Sequence, residues 1–215
     1  MPNKETAIKN STILATYLLI VWGFYRLLFK FPDDVEDLII KPIFWLLPVF
    51  YLVKKEKLGF ASVGITSKGL FSSIYSSLAL GVFLTITGVV INFIKYKGVN
   101  FLDDIGPTPF FTLLVLSLAT GVSEEIAFRG YIFNRIWSAL GSEWKANIIV
   151  STVWALVHVP IVLFWWKLDL IGTIGILVLT FIFGVGSSFA FARTRNIASS
   201  ILLHMLWEWP IILFR

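Results

Sequence analysis

Long apolar runs dominate this chain, and its polar residues are gathered in the short segments between them. A helix that crosses a lipid bilayer needs about 20 consecutive residues, most of them apolar. Seven stretches of the sequence approach or exceed that length: 11–30, 38–53, 69–95, 108–137, 146–166, 170–192 and 197–214. The pattern predicts an all-α, polytopic membrane helix bundle with seven to eight transmembrane helices.

Two of the predicted spans are irregular. The second is short and contains Lys41, Pro42 and Pro48, so we expect it to be kinked or tilted. The fourth is unusually long and carries charged residues, so it is either one span or a span followed by an interfacial helix that starts near Gly130. An eighth span hidden in residues 108–145 would move the C-terminus to the other side of the membrane.

Composition excludes several classes of protein. Apolar residues make up 57% of the 215 residues and charged residues 14%, whereas a typical soluble domain is about 25% charged. Such a chain cannot cover a soluble fold with polar surface, which excludes a soluble enzyme, a disordered protein and a nucleic-acid binder. Cysteine is absent, which also excludes disulfides, thiolate metal ligands and a thiol nucleophile.

Lysine and arginine predict the orientation of the chain, because cytoplasmic loops are enriched in both residues. With the N-terminus inside, the cytoplasmic segments hold eleven of them: Lys4, Lys9, Lys54, Lys55, Lys57, Lys68, Arg129, Arg135, Lys145, Arg193 and Arg195. The outside segments hold five: Lys30, Lys95, Lys97, Lys167 and Arg215. Arg26 and Lys41 lie within spans and are left out of this comparison. We therefore expect a multi-pass cell-membrane protein with a cytoplasmic N-terminus and, with seven spans, an external C-terminus.

Three charged residues fall in the middle of the fourth span: Glu124, Glu125 and Arg129. Each costs about 2.5–3.5 kcal/mol at the centre of a spanning helix, so such residues normally face a bundle interior or a wet cavity and mark function. Glu125 and Arg129 are four residues apart, so they share a helix face and can pair, whereas Glu124 points elsewhere. The simpler interpretation is an ion pair that only locks two helices together.

Both histidines of the chain, His158 and His204, lie inside apolar spans, and Glu208 follows His204 by one helical turn. A single buried histidine is usually a satisfied core residue, but two of them beside the buried charges of the fourth span favour a functional site. Glu208 is either a hydrogen-bonding partner of the His204 ring or an ordinary residue near the membrane interface.

Two chemistries fit these residues, and the sequence alone does not separate them. In the first, Glu124, His158 and His204 bind a divalent metal such as zinc, which activates water. In the second, Glu124 and His158 hold a water directly, Glu124 takes its proton, and His204 donates a hydrogen bond to the developing oxyanion. The His-Glu-x-x-His helix of common zinc proteases does not occur in the sequence.

Three motifs in order resemble those of the CPBP family, which contains the type II CAAX prenyl proteases and the bacteriocin-processing or self-immunity proteins also called Abi. The segment 124–130, Glu-Glu-Ile-Ala-Phe-Arg-Gly, is similar to the family's Glu-Glu-x-x-x-Arg motif. Trp154-x-x-x-His158 is similar to Phe-x-x-x-His, with another aromatic residue in first place. His204 is similar to the third motif, but Glu208 stands where the family has Asn.

The resemblance implies an intramembrane endopeptidase with a polar catalytic cavity open to the cytoplasmic side. It implies N-terminal transmembrane helices in 1–107 and a catalytic membrane core in 108–215, as one membrane domain overall. By motif, Glu124 would activate water with His158, Glu125 with Arg129 would support the site, and His204 would stabilise the oxyanion. Trp154 and Glu208 are candidate supporting residues, although an ionised Glu208 can only accept a hydrogen bond where the family's Asn can donate one.

The resemblance also bears on the cofactor and the substrate. The family is often labelled metalloprotease, although metal-free glutamate catalysis is also argued for it. We expect contact with membrane lipid and a membrane-associated or lipidated peptide or protein as substrate. The richness in Lys, Ile, Asn and Phe points to a bacterial plasma membrane, where a leader peptide or bacteriocin precursor is the expected substrate. The oligomeric state stays open.

Two other functions are compatible with the sequence. The first is a non-catalytic membrane protein of the same fold, which acts in bacteriocin self-immunity or as a scaffold, and the Glu208 departure favours it. The second is a transporter or ion pathway that uses the same buried charges. Repeated halves would favour a transporter, and the sequence shows no internal repeat.

Overall fold

The computed structural model describes residues 1–97 and 110–213, and these residues form helices and turns without any strand. The α-helices are α1 Lys4–Tyr17, α2 Gly23–Leu28, α3 Asp33–Val35, α4 Lys41–Lys55, α5 Leu70–Tyr96, α6 Phe110–Glu125, α7 Asn134–Leu140, α8 Glu143–Val157, α9 Leu170–Thr194 and α10 Ala198–Leu213. Four π-helical stretches, Leu18–Trp22, Glu36–Ile40, Ile126–Phe133 and Ile161–Trp165, and one 3-10 turn, Phe60–Val63, connect or extend them.

Five helices of the described residues are long and apolar enough to cross a membrane. They are Lys4–Leu28, Leu70–Val90, Phe111–Leu140, Glu143–Trp165 and Leu170–Thr194. The all-helical membrane fold predicted from the sequence is therefore confirmed. The other two predicted spans also form helices, α4 and α10, but these are only 15 and 16 residues long over the described part of the chain.

The long fourth span is one continuous helix. It passes from α6 through the π-helical stretch Ile126–Phe133 into α7, and a left-handed Gly141 then ends it before α8 begins. A separate interfacial helix starting near Gly130 is therefore not formed. The boundary between residues 107 and 108, which separates the two predicted regions, lies outside the described residues.

The helices of the two halves of the chain pack together. Helix α10 packs against α5, α6 and α9, while α8 packs against α9 and α4 packs against α6. Aromatic rings fill the centre: the Trp45 ring lies 5.6 Å from that of Phe128, which lies 5.0 Å from that of Trp154. The N-terminal helices thus form part of the same core as α6 and α8.

Polar contacts join the segments at one end of the bundle, which we call the basic end. Arg135 pairs with Glu56 at 2.9 Å, and Asn196 donates a hydrogen bond of 2.7 Å to the carbonyl of Thr66. These contacts bring together the start of α1, residues 54–68, residues 134–145 and residues 193–197, which are the segments that the sequence assigned to one side of the membrane.

Candidate active site

A cavity of about 260 Å³ lies among the helices of the bundle. Both halves of the chain line it. The polar residues on its wall are Arg26, Lys41, Thr120, Glu124, His158, Thr180, His204 and Glu208, and the aromatic ones are Trp22, Trp45, Trp154, Trp166, Phe183 and Trp207. The wall of the cavity thus includes Glu124 of the first motif and His158 of the second. It also includes His204 and Glu208 of the third motif.

Glu124 is buried at the wall of this cavity and faces a cation. Its Oε1 atom lies 3.0 Å from the Nζ atom of Lys41, the first residue of α4. Lys41 also lies 2.8 Å from Asp37 Oδ1 and donates a hydrogen bond of 3.2 Å to Thr120 Oγ1. An ammonium group at this distance in a buried place stabilises a carboxylate and fixes its position.

The sequence analysis did not predict Lys41 as a site residue, because it lies within a span and was left out of the charge comparison. A usable signal was present: a lysine in an apolar stretch is costly, and Asp37 precedes it by one helical turn. Arg26, also set aside, forms a buried ion pair with Glu36 and lines the same cavity.

His158 caps the C-terminal end of α8 and lines the cavity together with Glu124. Its Nδ1 atom lies 2.8 Å from the carbonyl oxygen of Trp154, which can only accept, so Nδ1 carries the proton. Nε2 is then the acceptor of the neutral ring. The ring packs edge-on against Trp154, with 4.7 Å between the ring centroids. The imidazole is thus held in one tautomer that can accept a hydrogen bond from water.

Glu125 points away from Glu124 and is fully buried. Its carboxylate accepts hydrogen bonds from Arg129 NH1 at 2.9 Å and from Ser187 Oγ at 2.7 Å, and its Oε1 atom lies 2.8 Å from His204 Nδ1. The predicted Glu125–Arg129 pair is therefore confirmed. Neither Glu125 nor Arg129 is among the described residues that line the cavity. The pair therefore supports the site from inside the fold.

The Trp154 ring contacts both His204 and Arg129. Its ring lies 5.9 Å from that of His204, and the Arg129 guanidinium lies 4.5 Å from its centroid. Beyond Arg129, Gly130 allows a close approach, since an added Cβ would lie 2.6 Å from the carbonyl oxygen of Val63. The chain after Arg129 is thus packed directly against the turn Phe60–Val63.

His204 lies between two carboxylates. Its Nδ1 atom faces Glu125, and its Nε2 atom lies 3.3 Å from Glu208 Oε1. Glu208 also accepts a hydrogen bond of 2.5 Å from Ser117 Oγ through its other oxygen. Glu208 therefore acts as an acceptor that orients the His204 ring, which is one of the two interpretations that the sequence left open.

Residues 106–210, about half of the chain, match the family described as type II CAAX prenyl endopeptidase Rce1-like. The C-terminal half of the chain is thus similar to this family. The matched segment contains all three motifs and helices α6 to α9, and the resemblance stated from the motifs is confirmed. No curated protein matches the chain. Lys41 and Arg26 lie outside the Rce1-like segment and reach its cavity from the N-terminal half.

The donor atoms of this Rce1-like site do not fit a metal centre. Among the described residues, no three His, Asp or Glu side chains are grouped so that they could hold a metal ion. Both nitrogens of His204 face carboxylates, and the Lys41 ammonium occupies the position beside Glu124 where a cation would bind. The positions of Glu124, His158 and His204 therefore do not support the metal-dependent chemistry that the sequence left open.

Proposed function

We propose that this Rce1-like chain is an intramembrane endopeptidase that hydrolyses a peptide bond of a membrane-associated protein or peptide. The proposal rests on the different surroundings of Glu124 and Glu125. Glu124 and His158 are exposed to the same space, while the neighbouring Glu125 is held inside the fold by three hydrogen-bonding partners. A carboxylate and an imidazole acceptor on one cavity are the groups that a water nucleophile needs.

The proposed reaction begins with a water held by Glu124 and the Nε2 atom of His158. Glu124 takes a proton from this water as the oxygen adds to the carbonyl carbon of the scissile bond, and a tetrahedral oxyanion forms. The C–N bond then breaks, and the proton passes from Glu124 to the leaving nitrogen. The products are a carboxyl terminus and an amine, and Glu124 is again a carboxylate.

The supporting residues have separate tasks in this proposal. Lys41 holds Glu124 in position and stabilises its ionised form. His204 is oriented by Glu125 at Nδ1 and by Glu208 at Nε2, and in this proposal the Nε2–H turns from Glu208, 3.3 Å away, to donate to the developing oxyanion. Positioned donors of this kind typically contribute about 10²–10³-fold to a hydrolysis rate.

The aromatic walls favour an apolar substrate. Trp22, Trp166 and Trp207 line the cavity, and such rings offer large apolar area to a lipid chain or an apolar peptide segment. A membrane-associated or lipidated peptide therefore fits the lining better than a polar one.

The test is cleavage of a panel of fluorogenic peptides, farnesylated and unmodified, by protein purified in detergent. We expect products from the wild type and none from Glu124→Gln or His158→Ala. Glu143→Gln is the matched control, because Glu143 pairs with Arg193 at the basic end, far from the cavity. Equal cleavage by Glu124→Gln would contradict the proposal. No cleavage of any peptide by the wild type would favour the non-catalytic alternative, in which the Glu208 departure has removed activity.

A further inference from the structure

A second cavity, of about 300 Å³, lies between α1 and the end of α4 at the basic end of the bundle. None of the described residues lines both this cavity and the candidate active site. The described residues on its wall come from the two helices and their ends: Pro2, Thr6, Lys9, Asn10, Lys55 and Glu56. Helices α1 and α4 thus contribute one lysine each to the same space.

The Glu56 carboxylate on this wall is already paired inside the fold. Its Oε1 atom accepts hydrogen bonds from Asn10 Nδ2 at 2.9 Å and from the Tyr131 hydroxyl at 2.6 Å. Its Oε2 atom accepts a hydrogen bond of 2.9 Å from Arg135 Nε, and the buried Arg135 balances its charge. Glu56 therefore attracts a cation in the cavity only weakly and repels an anion only weakly.

The two lysines of the wall are exposed and have no counter-charge within the described part of the chain. The Thr6 hydroxyl likewise donates to no described group. Ammonium and hydroxyl groups are the donors that a phosphate oxygen accepts from. The charges beside the cavity are also mostly positive, with three further lysines and one glutamate: Lys4, Lys54, Lys57 and Glu5.

Exposed apolar side chains continue from both lysines toward the middle of the membrane. Ile13 follows Lys9 by four residues in α1, and in α4 Tyr51 and Leu47 precede Lys55 by four and eight residues. These spacings keep each apolar side chain on the face of its lysine, one or two helical turns deeper. All three are at least half exposed. Cations above an apolar surface fit an amphiphile, whereas a free anion would use the cations alone.

We propose that this cavity binds the phosphate headgroup of an anionic phospholipid. Lys9 and Lys55 supply the counter-charge, and Thr6 supplies a hydroxyl donor. The acyl chains lie against Ile13 and Tyr51. Basic pockets between transmembrane helices bind anionic headgroups in this way. The bound lipid joins α1 to α4, and the site is independent of the proposed endopeptidase function.

The test is native mass spectrometry of protein purified in detergent, titrated with phosphatidylglycerol and with phosphatidylcholine of the same acyl chains. We expect the wild type to bind phosphatidylglycerol at least about 10-fold more tightly, because each lysine at the membrane surface favours an anionic lipid several-fold. The double variant Lys9→Gln/Lys55→Gln should lose this preference. Lys4→Gln/Lys54→Gln is the matched control, because it removes one exposed lysine from each of the same two helices outside the cavity.

Equal affinity of the wild type for the two lipids would overturn the proposal. An equal loss of preference in the two double variants would also overturn it, because the attraction would then belong to the basic end as a whole. Displacement of phosphatidylglycerol by inorganic phosphate, but not by chloride at the same ionic strength, would assign the cavity to a free anion instead. If Lys9→Gln/Lys55→Gln does not fold, Lys55→Gln compared with Lys54→Gln decides by the same criterion.

Discussion

The Lys41 ammonium lies 3.0 Å from the Glu124 carboxylate, and this contact joins the two halves of the chain at the candidate site. Lys41 is itself held by Asp37 and Thr120. The residue that the motifs mark as the general base therefore depends on a helix that lies outside the Rce1-like segment. The N-terminal helices are thus part of the site as well as part of the fold.

Replacing Lys41 tests this dependence. We expect Lys41→Met to lower kcat by about 10²-fold with little change in KM, because Glu124 loses the contact that positions it. Lys41→Arg should recover part of the loss, since it restores the cation. The measurement is steady-state cleavage by purified protein, with Lys30→Met, an exposed lysine at the same end, as the control. An unchanged kcat in Lys41→Met would contradict the positioning role.

Removing Arg129 should destabilise the fold. Arg129→Ala leaves the fully buried Glu125 carboxylate without its cation, and breaking a buried pair costs about 3–5 kcal/mol. We expect the melting temperature in detergent to fall by about 6–20 °C. Arg193→Ala is the control, because the Arg193–Glu143 pair is exposed and such pairs contribute about 0–1 kcal/mol. Equal melting temperatures for Arg129→Ala and the wild type would show that the pair is not structural.

Glu208 can be tested by comparing two substitutions. Glu208→Gln keeps one acceptor oxygen, which can serve His204 while the amide nitrogen donates to the Ser117 hydroxyl, whereas Glu208→Ala leaves both His204 and Ser117 without a partner. We expect Gln to retain most of the cleavage rate and Ala to lose about 10-fold or more, in line with the loss of about one buried hydrogen-bond partner. A Gln variant as slow as the Ala variant would mean that the charge of Glu208, rather than its acceptor role, matters.

Gly130 provides a test of the packing beside the motif. A Cβ at this position would lie 2.6 Å from the Val63 carbonyl oxygen, so we expect Gly130→Ala to destabilise the protein by about 1–3 kcal/mol. Gly175 is the matched control, because nothing lies within 4 Å of its Cβ position in α9 and alanine is the better helix former. Thermal unfolding of both variants distinguishes the two cases, and equal melting temperatures would contradict the close approach.

The local part of the site could be predicted from the sequence. The Glu125–Arg129 pair follows from the helical repeat, because residues four positions apart share a face. The different direction of Glu124, about 100° around the helix from Glu125, follows from the same geometry. The helical fold was also predictable, because long apolar runs allow few other structures in a bilayer.

The remaining features depend on contacts between distant segments, which helical spacing does not encode. Lys41 reaches Glu124 only because α4 packs against α6, and His204 reaches Glu125 only because α10 packs against α6.

The central claim is that Glu124 activates water while its neighbour Glu125 supports the fold. The most direct test compares Glu124→Gln and Glu125→Gln by cleavage rate and melting temperature on the same preparations. We expect Glu124→Gln to lose at least about 10²-fold in cleavage at nearly the wild-type melting temperature, since Lys41 keeps its contact with Asp37. We expect Glu125→Gln to melt at a lower temperature, because its carboxylate joins Arg129, Ser187 and His204. Cleavage by Glu124→Gln at the wild-type rate would contradict the account.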